Sequence, residues 1–166
     1  MSLRPRWVLL LALVGLASCA TSNRPTTSTG PVRWSGNFRT VGSASSAVLN
    51  TSSTDSQGSS FGNIIVVNAD SMPPTSHVDL TMSSPSMSGR ELAWAIFGGP
   101  CGAPTPPVAS LQEFPPLSVS TGNGRVSTDL RFRLTPGAEY HANVYASSRA
   151  NDVANVLMCA NLSLGR

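Results

Sequence analysis

Lysine is absent from this chain, and histidine occurs only at His77 and His141. Charged residues make up 11% of the 166 positions and aromatic residues 6%. Each scarcity excludes something. The cations are all arginines, which we read as genome composition rather than function. Beyond Arg4 and Arg6 they are scattered, with Arg131 and Arg133 the only close pair. Nucleic-acid binding needs clustered cations, so no nucleic-acid partner is expected despite a formal charge of +3. No P-loop or His-Glu-x-x-His occurs. Two histidines assign no Ser-His-Asp set among the many serines. No close Cys-x-x-Cys pair marks a metal site. No stretch shows a sustained 3.6-residue period, and Pro and Gly interrupt most long windows.

What is present begins at the amino terminus. Met1–Arg6 is short and basic, Trp7–Leu16 is apolar, and Leu16-Ala17-Ser18-Cys19-Ala20 follows. This is the layout of a secretory signal. Its apolar run falls short of the ~20 residues that span a bilayer. Leu16-Ala17-Ser18-Cys19 resembles the lipobox of bacterial lipoproteins. That resemblance implies a leader over residues 1–18, lipid on Cys19 and attachment to a membrane of the bacterial cell envelope. Position 20 is alanine rather than the aspartate of inner-membrane retention, so the resemblance implies the outer membrane, facing the periplasm.

Without the leader, nine arginines face eight acids, and the net charge is about +1. The mature chain Cys19–Arg166 has the size of one ordinary domain. Two thiols then remain, Cys101 and Cys159. In an oxidising compartment they are expected to pair. The alternative, two thiolate metal ligands, lacks the usual spacing.

Residues 19–31 are rich in Ser, Thr, Pro and Gly and read as a disordered tether. The domain is expected over residues 32–166. Candidate strands are Arg33–Val41, Ser45–Thr51, Phe61–Ala69, Ser76–Ser83, Glu91–Phe97, Arg125–Leu134, Glu139–Ser147 and Val153–Leu162. Alternation is clearest in Val126, Thr128, Leu130, Phe132 and Leu134, and in Val78, Leu80 and Met82. Gly122-Asn123-Gly124 and Pro136-Gly137 read as turns. About eight such strands predict an all-β sandwich or flattened barrel.

One family resemblance covers residues 91–162. It rests on Trp94-Ala95-Ile96-Phe97-Gly98-Gly99-Pro100-Cys101-Gly102, on Asn143-Val144-Tyr145, and on Met158-Cys159-Ala160-Asn161-Leu162. These runs resemble the Cu,Zn superoxide dismutase-like and chordin-like envelope proteins. The resemblance implies a Greek-key β-sandwich with Cys101 tying a loop to the last strand through Cys159. It also places the copper histidines at Ala95, Phe97 and Tyr145, none of which is a good copper ligand. Gly102–Leu117, where zinc ligands would lie, contains no histidine and one acid, Glu113.

The expected function is therefore a non-catalytic, lipid-anchored structural or interaction module with no cofactor, not an enzyme, and with a possible envelope protein partner. The alternative is a periplasmic metal- or small-ligand-binding protein. Its candidate ligands are His77, Asp79 and His141, with Met72, Met82 and Met87. A working dismutase ranks third. His77 and Asp79 share one strand face, which reads first as a solvated face. His141 falls on the same alternating face as Glu139, Asn143 and Tyr145, and that face reads as solvated or hydrogen-bonded. Trp94 and Ile96 are expected in the core, with Ala95 and Phe97 on the opposite face. Phe97 and Tyr145 there read as an apolar surface or a repacked vestige.

Overall fold

A computed structural model describes residues 30–41, 60–149 and 155–165. The leader, Cys19, most of the tether and the candidate strand Ser45–Thr51 lie outside the described residues.

Among the described residues, β-branched and aromatic runs separated by Gly, Pro and Ser form nine strands. They are β1 Arg33–Thr40, β2 Phe61–Asn68, β3 Ser76–Ser83, β4 Glu91–Leu92, β5 Trp94–Gly98, β6 Leu117–Ser120, β7 Asn123–Leu130, β8 Tyr140–Tyr145 and β9 Val156–Leu164. They lie in the order β4-β6-β7-β3-β2-β1-β9-β8-β5, and every paired neighbour is antiparallel. This is an all-β, flattened barrel.

The barrel nearly closes through one change of partner. Glu91–Phe97, expected as a single strand, is interrupted at Ala93. Its first part pairs with β6 and its second with β8. At the switch the Ala93 amide donates to the Ser147 carbonyl at 2.7 Å, and the Ala93 carbonyl accepts from the Tyr145 amide at 2.9 Å. The interruption thus joins the two ends of the strand order and leaves no backbone group at Ala93 unpaired.

Alternation sets the core. On β3, Ser76, Val78, Leu80 and Met82 are buried while His77, Asp79, Thr81 and Ser83 are half-buried. β1 inserts Trp34 and Phe38, and β2 inserts Ile64 and Val66. Each such large side chain contributes roughly 1.5–3 kcal/mol on burial. Trp94 is also buried, with its indole N–H donating to the Pro115 carbonyl at 2.7 Å. Its ring meets Phe114 edge-on at 5.0 Å.

Two expectations need correction. The strand expected over Arg125–Leu134 begins earlier, at Asn123, and ends at Leu130. Phe132 and Leu134 are buried as their alternation implies, but outside any ladder. A buried side chain takes the ladder's place. Asn68 donates to the Leu134 carbonyl at 2.8 Å and accepts from the Leu134 amide at 3.2 Å. The Ser76 hydroxyl lies 2.8 Å from the Phe132 carbonyl and 3.0 Å from the Asn68 side-chain oxygen. Second, β6 was not expected. The turn joining it to β7 is Thr121-Gly122, with φ of +49° and +80°, one step before the expected glycine pair. Two consecutive positive φ values match the twist of a two-residue hairpin.

Candidate functional site

β5 reads Trp-Ala-Ile-Phe-Gly, apolar on both faces, and Trp94 through Phe97 are all buried. A strand buried on both sides needs a second layer. The Pro- and Gly-rich segment Gly99–Val108 supplies it. Gly99 turns the chain at φ +73°, where a Cβ would come within 3.1 Å of the Ala103 Cβ. The segment is then tied back at several points. Thr105 donates its hydroxyl to the Gly98 carbonyl at 2.5 Å, and the Val108 amide donates to the Ile96 carbonyl at 2.9 Å. The Cys101 amide donates to the Asn161 side chain at 2.7 Å.

The Cys101–Cys159 disulfide adds the covalent tie, with Cα atoms 6.1 Å apart and a sequence separation of 58. The pairing expected of these two thiols is present, and it removes them as metal thiolates. On the chain-entropy model, a loop of that length corresponds to about 4 kcal/mol.

Under this cover lies His141. Its face was read as solvated or hydrogen-bonded, and the solvated half of that reading is corrected. The ring is 1% exposed. It stacks on Phe97 with centroids 5.3 Å apart and 19° between planes. Nδ1 lies 2.9 Å from the Gly99 carbonyl. A carbonyl only accepts, so Nδ1 carries hydrogen, and in the neutral form of such a ring Nε2 is an acceptor. Nε2 has no protein partner among the described residues. Tyr145, two positions on from Asn143, is buried. Burial pushes its hydroxyl pKa up, and a hydrogen bond with the Asn143 side chain works the other way.

A cavity of about 330 Å³ lies between the segment and the outer faces of β5, β8 and β9, lined by Phe97, Ala103, Thr105, His141, Tyr145 and the disulfide among others. No lining residue carries a charged side chain of the Asp, Glu or Arg type. Ala95 is fully buried. Of the three positions that the family resemblance singles out, Phe97 and Tyr145 line the cavity and Ala95 does not. A second groove, of about 690 Å³, runs along β1 and β9 on the other side of the disulfide, with the more polar lining Ser35, Asn37, Arg39 and Ser163.

The other histidine sits in a different environment. His77 projects from the outer face of β3, directly opposite Asp129 on β7. Nδ1 is 2.8 Å from Asp129, while Nε2 is 3.4 Å from Asp79 and 3.2 Å from the Ser127 hydroxyl. His77 and Asp79 are thus together, as their spacing predicts. The two carboxylates approach opposite nitrogens of one ring, so the three groups do not converge on one point. Among the described residues, no three His, Cys, Asp or Glu side chains form a group able to hold a metal ion.

The methionines are not gathered either. Met82 is in the core, Met72 is 97% exposed, and Met87 stands beside Arg90. Sequence reasoning missed the covering role of Gly99–Val108. The signal was available in β5, whose four consecutive apolar residues leave no polar face for solvent. Comparison with known protein families, with curated proteins and with solved structures finds no match to this chain.

Proposed function

We propose that this chain is a non-catalytic lipoprotein of the bacterial envelope, anchored through Cys19, whose barrel is a structural or interaction module. The reading rests on one observation. At the positions where the family resemblance puts copper ligands stand a fully buried Ala95, a Phe97 stacked on His141, and a buried Tyr145. Alanine and phenylalanine offer no donor atom, and a neutral phenol is a poor substitute for imidazole. A second reading, small-ligand binding, is favoured by the uncharged cavity beneath Gly99–Val108.

The test has two arms. Mass spectrometry of the mature protein is expected to find a lipidated Cys19 amino terminus, and Cys19→Ser to release the protein from the membrane. An unmodified terminus at another residue overturns the anchor. Metal analysis of the purified protein is expected to find neither copper nor zinc in stoichiometric amount, and no superoxide dismutation. Tight binding near one equivalent that survives Phe97→His but is lost in His77→Ala or His141→Ala overturns the metal-free reading and relocates the site.

A further inference from the structure

We propose that the cavity between Gly99–Val108 and β8 binds a small neutral aromatic molecule carrying one hydrogen-bond donor, of the phenol class, with His141 Nε2 as the acceptor. The proposal rests on the small-ligand reading above and names the ligand chemistry.

Four observations select this class. The cavity, at about 330 Å³, lies at the small end of ordinary ligand sites. Its lining offers no carboxylate or guanidinium to neutralise an ionic ligand. The polar groups in it are also not equivalent. Asn143 is an amide, and Tyr145 is a phenol whose pKa burial pushes up, so neither brings a charge to the cavity. The His141 ring is 1% exposed, holds its Nδ1 proton on Gly99, and has an Nε2 without a protein partner among the described residues. No fully buried side-chain nitrogen or oxygen among the described residues lacks a partner, so an unpartnered Nε2 is not sealed in the core, and His141 lines the cavity, where that nitrogen can accept from a ligand that donates. Finally, the ring is already oriented by the Phe97 stack and by a covering segment bonded covalently to β9. A preformed acceptor beside aromatic surface favours a flat ring bearing a hydroxyl.

The test uses the full chain without its leader, carrying Cys19→Ser so that no detergent is needed. Amide NMR titrations compare 4-methylphenol, toluene and 4-methylbenzoate. 4-Methylphenol is expected to bind saturably and to shift amides of residues 97–105 and 141–145. Toluene is expected about tenfold weaker, the worth of one hydrogen bond, and 4-methylbenzoate not to bind. His141→Phe keeps an aromatic ring but removes the acceptor, and should bring 4-methylphenol down to toluene's affinity. If that variant does not fold, Ala103→Trp decides by filling the cavity and abolishing both. Equal affinity for toluene and 4-methylphenol overturns the donor–acceptor claim and leaves small-ligand binding standing. Preference for 4-methylbenzoate overturns neutrality. No saturable binding by any of the three overturns both the ligand class and the small-ligand reading of this cavity.

Discussion

The two halves of the barrel use the same alternating strands and end with opposite surfaces. On β2, β3 and β7 one face is core and the other meets solvent. His77 stands on that outer face among Asp79, Ser127 and Asp129, with its side chain 44% exposed. On β5 and β8 the outer face is covered in turn, and His141 stands there 1% exposed against Phe97. Each histidine has one polar residue two positions on along its own strand, Asp79 on β3 and Asn143 on β8. What separates them is a segment distant in sequence that lies over one face and not the other.

The largest expected effect strikes the cover itself. Replacing both Cys101 and Cys159 by serine should cost roughly 2–5 kcal/mol in urea unfolding. Hydrogen exchange should quicken over Gly99–Val108 and β8 while β2 and β3 change little. Equal loss of protection in both halves would break the distinction drawn here.

Next comes His141→Ala, which removes a buried ring and orphans the Gly99 carbonyl. About 2–4 kcal/mol of destabilisation is expected from the combined cavity and hydrogen-bond losses. Denaturant midpoints at constant slope would measure it.

A smaller effect appears only at alkaline pH. The Tyr145 hydroxyl has its pKa raised above 10.0 by burial. The unfolded chain therefore releases this proton first as pH rises. Stability from this group is complete below the unfolded value and is lost as pH climbs through the folded one. Thermal melts at stepped pH should fall on the alkaline side of 10 in the parent and fall less in Tyr145→Phe. Identical alkaline limbs would place Tyr145 in water.

The smallest effect should come from His77→Ala. Exposed ion pairs contribute little, so a change within about 0.5 kcal/mol is expected, against the several-fold larger loss at His141. A large effect at His77 would mean that the open face is as constrained as the covered one.

Much of the fold was legible because its determinants are local. Period-two patterning located β1, β2, β3 and β9 to within a few residues, and Pro136-Gly137 turns the chain where it reads as a turn, with Gly137 at φ +87°. The candidate site was legible only as a set of residues. Phe97, His141 and Tyr145 were all singled out, but their cavity depends on a covering segment that alternation does not encode. The break at Ala93 was missed because it trades one partner strand for another without changing the backbone's extended form. The end of β7 was missed because Phe132 and Leu134 continue the pattern while Asn68, distant in sequence, takes over their hydrogen bonds.

The sequence by itself determined an all-β chain, the inward residues of most strands, and the two cysteines available to pair. Those follow from side-chain period and from composition, which act over a few residues. Only the tertiary structure decided which outward residues meet water. Burial of an outer face depends on where another segment is tied, and here the ties are Thr105 to Gly98, Val108 to Ile96, and Cys101 to both Asn161 and Cys159. The last two span 60 and 58 positions, beyond any local pattern, and the environment of His141 depends on them.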